Sequence, residues 1–332
     1  MIVIVCQHPR TKKHGRDRKG QQRHRCLDCG KTFVPIPAGP KPLGDMRIDM
    51  DRATMALGML LEDSSIRAIE RLTGVAKRTT LNLIELVGER CQLFWMKRMR
   101  NLSVQDVQVD EIWGFVGCKD KTRERLHKSD DCGDAWTFMA IERTTKLVLA
   151  YHVGKRTPFD TEWFLEKLRD ATTGRFQLST DGFKPYCTGV PEVLRRRVDF
   201  AQLVKIYDGG SNKGQARYSP AEITGIRKRW MLGNPDMERV CTSHAERQNL
   251  NIRMHVRRMT RLTNAFSKKW TNHDLMLSIF FVWYNFCRNH MTLKTTPAVA
   301  AGLADEIWTI ERMLNEIATT ANAIGENGHG RR

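Results

Sequence analysis

Hydrophobic and polar positions change their period several times along the chain, and each change marks a different kind of element. From about residue 45 to residue 100 the apolar residues recur at helical spacing. Ile66, Ile69 and Leu72 fall on one face, Gly74 permits a turn, and Val75 and Leu81 pack a second helix. From Val107 the period falls to two: Val107, Val109, Trp113 and Phe115 alternate with Gln108, Asp110 and Gly114, which predicts a half-buried strand. Apolar runs over 135–141 and 147–153 predict two more strands, joined by a hairpin turn at Arg143, Thr144, Thr145 and Lys146. A helix is expected over 160–171, just after Thr157-Pro158, then a strand over 176–180, a helical stretch and a strand over 201–207. The Gly-, Asn- and Pro-rich stretch at about 208–240 predicts a long loop or insertion. A basic helical region starts near Ser243, and apolar helices follow.

Three adjacent strands, a helix, a strand, a helix and a strand describe a mixed α/β layer fold. Pro35, Pro37, Pro40 and Pro42 predict a stiff, extended linker that separates this region from a small Cys/His segment upstream. A chain of 332 residues has room for two or three domains. The boundaries expected are 1–36, 45–100, 104–297 with the insertion, and a helical tail over 298–332.

Charge narrows the partner. Lys and Arg number 55 against 37 Asp and Glu, a net charge of +18, which favours a polyanion, and nucleic acid before all others. A membrane surface would call for a basic amphipathic helix or a lipidation signal, and neither is present. The longest apolar run, at 277–284, is too short to span a bilayer. The opening Met1-Ile2-Val3-Ile4-Val5 has no charged segment before it, unlike a signal peptide. Nine scattered cysteines suit a reducing compartment, so a cytoplasmic protein is expected.

Four groups of residues carry chemistry. Cys26-Leu27-Asp28-Cys29-Gly30 has the spacing at which two thiolates reach one tetrahedral zinc ion, with Cys6 and His8 as the second pair and His14 and His24 in reserve. A redox role for this Cys-x-x-Cys would need a βαβ context that the pattern lacks. The basic run from Arg10 to Lys19 lies between the two pairs, and a solvated loop accounts for it as well as phosphate binding does. In the helical pair, Lys77, Arg78, Thr79 and Thr80 open the second helix, where a helix-turn-helix reads DNA, although any short helical hairpin shares the pattern.

The sharpest group is acidic: Asp110 within a strand, Asp181 at the end of another, and Glu246 early in a helix. Hard divalent ions prefer such carboxylates, and a pair of ions stabilises the attacking and leaving oxygens of phosphoryl transfer. Each acid alone is more simply a cap or a surface charge. Glu111 rivals Asp110, but alternation along a strand points the two to opposite faces and selects Asp110 as the partner of Asp181. Beyond Glu246, counting by turns puts Asn249, Arg253 and Arg257 on its face, with Arg258 and Arg261 extending a basic surface suited to a DNA backbone.

Val109-Asp110-Glu111-Ile112-Trp113, Thr180-Asp181-Gly182 and Glu246-Arg247-Gln248-Asn249 resemble the three acidic motifs of the DDE transposases, most closely those of the bacterial "insertion sequence one" group. The stretch from Arg258 to Lys269, and Tyr284-Asn285-Phe286-Cys287-Arg288-Asn289-His290 with Leu293 and Thr296-Pro297, are similar to later parts of that group. Cys6-Gln7-His8 departs from the Cys-x-x-Cys expected there. The resemblance implies a ribonuclease-H-like catalytic domain preceded by a zinc ribbon and a helix-turn-helix domain. It further implies two magnesium or manganese ions on Asp110, Asp181 and Glu246, recognition of terminal inverted repeats and target DNA, and action as a homo-oligomer in a bacterial nucleoid. A DNA-binding regulator without chemistry and a purely hydrolytic nuclease are the competing readings.

Overall fold

The computed structural model describes residues 6, 8–18, 20, 22–34, 39–207 and 223–329. Two compact units result, Met1–Pro40 and Lys41–Arg332. The first is a three-stranded antiparallel ribbon of β1 (Thr11–Arg16), β2 (Gln22–Cys26) and β3 (Thr32–Phe33). Linker residues 35–38 lie outside the described residues.

The second unit opens with three helices, α1 (Met50–Leu61), α2 (Ile66–Thr73) and α3 (Lys77–Arg98). Ser65 caps α2 by accepting from the Ala68 N–H, and Gly74 ends it at φ 67°, a left-handed conformation that glycine adopts without steric cost. Ile69 and Val75 are buried as the helical period predicts, but Leu72 is 69% exposed: α2 is short and its far end turns to solvent. Next come β4 (Leu102–Ser103), β5 (Asp106–Val116), α4 (Asp120–Arg125), β6 (Gly133–Glu142), β7 (Val148–Gly154), α5 (Pro158–Ala171), β8 (Thr172–Thr173), β9 (Phe176–Thr180), α6 (Pro185–Val193), β10 (Val198–Tyr207) and β11 (Ile223–Leu232). Helices α7 (Ser243–His255), α8 (Trp270–Phe286), α9 (Pro297–Ala300) and α10 (Ile310–His329) complete the unit.

Among the described residues the main sheet has six strands in the order β11-β10-β9-β5-β6-β7. Strands β5, β6 and β7 form an antiparallel meander, β9 and β10 run parallel to β5, and β11 returns antiparallel along β10. The mixed α/β layer fold read from the pattern is therefore present, with one strand added. Residues 223–232, expected as loop, are an edge strand with Ile226 and Trp230 exposed; lacking a buried face, it carries no alternation to betray it. Residues 208–222 of the expected insertion lie outside the described residues.

One hydrophobic core runs from the sheet into the helices. Leu57, Leu83, Val87, Phe138, Leu165, Leu178, Phe280 and Leu314 all belong to it. Helix α8 supplies the 277–284 run, which is buried in protein, and no helix among the described residues is long and apolar enough to cross a membrane. At Gly88 of α3 an added Cβ would lie 2.6 Å from the Leu275 Cβ, so this glycine sets how closely α3 and α8 approach.

Candidate metal and phosphate site

Parallel pairing places two carboxylates together. β5 and β9 are in register from Asp106↔Gln177 to Gln108↔Ser179 and are not paired beyond that point. Asp110, two residues further along β5, and Asp181, just past β9, therefore face one another where the strands part. Helix α7 is fixed across this opening by Gln108, whose Oε1 accepts from the His244 N–H at 2.9 Å. Glu246 lies in its first turn, and Asn249, three residues on, donates through Nδ2 to Asp110 Oδ2 at 2.9 Å. Asp181 Oδ1 accepts from the Phe183 N–H at 2.9 Å.

Asp110, Asp181 and Glu246 line a cleft of about 750 Å³ together with Arg156, Phe183, Lys184, Leu203 and Lys205. Two cations partner the acids. Lys205 Nζ lies 2.6 Å from Glu246, and Arg156 Nη2 lies 3.6 Å from Asp181. Burial, and then the charge of Asp181, raises the Asp110 carboxyl to about 7. Burial raises Asp181 as well, against the Phe183 N–H and Arg156. For Glu246 burial acts upward too, but hydrogen bonds from Lys205 and Thr242 outweigh it and hold the group below its ordinary value. The site thus holds carboxylates whose charged forms are partly uncompensated, which is the electrostatic condition a divalent cation relieves. Among the described residues the buried Asn249 Oδ1 has no hydrogen-bond partner. An all-oxygen donor set of this kind fits magnesium or manganese.

Glu111 corrects the reading from strand alternation. Its carboxylate belongs to the same cluster as those of Asp110 and Asp181, with ligand atoms within 4.8 Å of one another. The residues do alternate along β5, but the ladder with β9 has ended. A long side chain from the other face can then reach the opening between the strands. There Glu111 accepts from the Tyr186 hydroxyl and from Arg156 at 3.0 Å. Burial, then the charge of Asp181, raises it to about 8.

The arginine stripe expected after Glu246 does not continue as a helix, because α7 ends at His255 and a 3-10 turn follows over Arg257–Met259. Arg253 donates to the carbonyls of Met259 at 2.7 Å and Trp113 at 3.0 Å. Arg257 pairs with Asp63 at 2.9 Å, and Arg258 donates to the Asn272 carbonyl while burial lowers it to about 10. Only Arg261 of these four is exposed. Three of the four guanidiniums are thus engaged in holding the fold.

At the start of α3, Lys77 and Arg78 are exposed and Thr79 is half-buried. Thr80 is wholly buried, its hydroxyl donating to the Ala76 carbonyl, so it cannot meet DNA as expected. His244 stands 3.3 Å from Lys146 Nζ, outside the residues lining the cleft. The residues missed in the sequence are Arg156, Lys205 and Tyr186, which show no local motif; Asn249 was legible as a neighbour of Glu246 on one helix face.

In the N-terminal unit, Cys6, His8, Cys26 and Cys29 converge with ligand atoms within 4.8 Å of one another, the four residues expected. Cys6 Sγ lies 3.8 Å from Cys26 Sγ, and Cys29 Sγ lies 3.3 Å from His8 Nδ1. The Cys29 backbone N–H leads the groups that pull the Cys26 thiol down to about 6, as a thiolate ligand requires. His14 and His24 stand apart, on β1 and β2. The donor set and its crowding fit a structural zinc.

No protein-family model matches the chain. It is a distant homologue, over half its length, of the InsB proteins of insertion element IS1. It is 27% identical over 170 residues to the insertion element IS1 2 protein InsB of Escherichia coli (strain K12), covering 51% of this chain and 70% of that one. It is 26% identical over 173 residues to the insertion element IS1 protein InsB of Shigella flexneri, covering 51% of this chain and 88% of that one. A solved piggyBac transposase synaptic complex with hairpin DNA aligns over 86% of this chain and 73% of its own at a TM-score of 0.36 and 9% identity, too slight a likeness to carry an argument.

Proposed function

We propose that this chain is a DNA transposase that cuts the ends of an insertion sequence and joins them to target DNA. The observation that carries the chemistry is the convergence of Asp110, Asp181 and Glu246 from two strands and a helix into one cleft that also holds Arg156, Lys184 and Lys205. Homology to insertion-element proteins supports this class of reaction. In this reading the sheet of Lys41–Arg332 is the ribonuclease-H-like catalytic domain. The ribbon of Met1–Pro40, held by zinc on Cys6, His8, Cys26 and Cys29, and the α2–α3 pair, through Lys77, Arg78 and Thr79, bind double-stranded DNA. The protein acts as a homo-oligomer in the bacterial cytoplasm on terminal repeats and target. Its charge of +18 supports a polyanionic substrate.

Asp110, Asp181 and Glu246 would hold two magnesium or manganese ions. When bound, such ions activate the attacking oxygen and stabilise the leaving one. Asn249 holds the Asp110 carboxylate in place, and Lys205 keeps Glu246 ionised and aimed into the cleft. Arg261 and Lys184 add positive charge for the phosphate backbone.

Labelled element ends incubated with target plasmid and Mg2+ test the reading. Joined products are expected, and Asp110→Ala or Glu246→Ala is expected to abolish them. Cleavage without joining favours a hydrolytic nuclease, and bound but intact DNA favours a regulator. Strand transfer unchanged in those variants refutes the assignment of the site.

A further inference from the structure

Arg156 stands apart from the other arginines near the cleft. It ends the loop after β7, fixed in place because Thr157 accepts from the Asp160 N–H to cap α5. Its guanidinium lies 4.7 Å from the centre of the Trp136 ring and 4.1 Å from that of Phe183. Rings against the guanidinium leave it mainly in-plane N–H groups for polar partners. Nη2 donates to Glu111 at 3.0 Å and lies 3.6 Å from Asp181. Among the described residues no partner is recorded for Nε or Nη1, and the side chain lines the cleft at 35% exposure. The Glu111 side chain, by contrast, is 1% exposed and is also held by the hydroxyl of the wholly buried Tyr186.

This is a layered arrangement. A buried tyrosine fixes a buried glutamate, the glutamate fixes one edge of the guanidinium, and two rings fix its plane. An arginine needed only to neutralise Glu111 would require neither the rings nor an edge open to the cleft. Of the other two cations lining the cleft, Lys205 is taken up by Glu246 at 2.6 Å and Lys184 is exposed to solvent. Arg156 and a divalent ion also compete, since Asp181 cannot give the same oxygen fully to both.

Resting on the transposase reading for its substrate, we propose that Arg156 is the phosphate-holding residue of this cleft, aimed by Glu111, and that it leaves Asp181 for a substrate phosphate when a divalent ion takes the carboxylates. The chemical class bound is a DNA phosphodiester, and recognition is by charge and planar N–H geometry, blind to base sequence.

Full-length wild type, Glu111→Gln, Arg156→Ala, Arg156→Lys and the double variant Glu111→Gln/Arg156→Ala would be compared. The double variant leaves no unpaired buried charge and so guards against a folding failure of the single alanine variant. Mn2+ affinity without DNA, read by calorimetry, is expected to tighten severalfold in Arg156→Ala relative to wild type, and in the double variant relative to a Glu111→Gln control that has itself lost a carboxylate of the cluster, because a competitor for Asp181 is gone. Oligonucleotide binding with Ca2+ present, read by anisotropy across salt, is expected to lose about 0.7 to 0.9 from the slope of log K against log salt, the loss of one phosphate contact. Cleavage kcat/KM is expected to fall on the order of 10²-fold. Lysine is expected to restore the salt slope but only part of the rate.

Mn2+ binding that is no tighter in Arg156→Ala than in wild type and no tighter in the double variant than in Glu111→Gln, or an unchanged salt slope, overturns the proposal in favour of a merely structural arginine. Neither readout needs turnover, so wild type that binds as expected but never joins ends refutes the transposase reading and leaves the Arg156 inference standing. Wild type that joins ends, with Arg156→Ala identical to it, does the reverse.

Discussion

The raised Asp110 carboxyl makes metal binding pH-dependent in a range where free aspartates no longer titrate. With its proton held up to about 7 by burial and by Asp181, roughly one tenth of the Asp110 carboxyls are ionised at pH 6 and roughly nine tenths at pH 8. A carboxylate must be ionised to ligate, so Asp110 alone weakens apparent Mn2+ affinity about tenfold between pH 8 and pH 6. An aspartate at its ordinary value would contribute almost nothing over that interval. Glu111, raised to about 8, adds to the same trend if it is drawn into the metal shell. Stability carries the opposite sign. A carboxyl raised in the folded state favours folding below its unfolded value near 4 and loses that contribution as pH climbs through about 7. The metal-free protein is therefore expected to lose stability from this group between pH 4 and 7, and Mn2+ is expected to raise Tm more at pH 8 than at pH 6. Calorimetric titration with Mn2+ at both pH values, paired with thermal melts, measures each effect. Affinity that is flat from pH 6 to 8 in wild type, with the same flatness in Asp110→Asn, refutes the reasoning.

Three further outcomes follow from named contacts. Asp181→Asn is expected to raise the metal-free melting temperature, because it removes a charge that disfavours ionisation of both Asp110 and Glu111, while Mn2+ binding falls; a lower Tm in the metal-free variant counts against repulsion in the cluster. Cys26→Ser or Cys29→Ser in the full chain is expected to abolish one equivalent of zinc measured by elemental analysis, and a strong chelator to do the same to wild type; zinc retained by both variants denies the four-ligand site. Gly88→Ala is expected to cost about 1–3 kcal/mol by urea denaturation, since the new methyl meets Leu275 Cβ at 2.6 Å and its carbonyl oxygen at 2.9 Å; an unshifted midpoint would show that α3 and α8 can part freely.

Much of this protein was legible from residue order alone, wherever the governing interaction is local or periodic. Strand β5 announces itself by alternation and β6 and β7 by apolar runs either side of a turn, and strands were also expected over 176–180 and 201–207, where β9 and β10 lie. Gly74 marks the end of α2, and the Cys-x-x-Cys-Gly turn marks half of a Cys/His cluster whose other two members, Cys6 and His8, were the ones expected beside it. The carboxylates Asp110, Asp181 and Glu246 were picked out by context, and the structure brings them to one cleft.

What sequence could not decide depends on where strands stop pairing and where helices end. Alternation put Glu111 on the far face of β5, yet the β5–β9 ladder ends at Gln108↔Ser179, and past that point facing no longer fixes where a long side chain's carboxylate goes. Helical counting carried a basic face from Glu246 to Arg261, yet α7 ends at His255, and three of those arginines are engaged with Met259, Asp63 and Asn272. Thr80 was placed toward DNA, but its position on α3 turns it into the core. Arg156 and Lys205 carried no signal, because each gains meaning only from residues tens of positions away. Periodicity records which side of an element is apolar; the partners of a charge are set by the packing of distant segments, and only the tertiary structure specifies those.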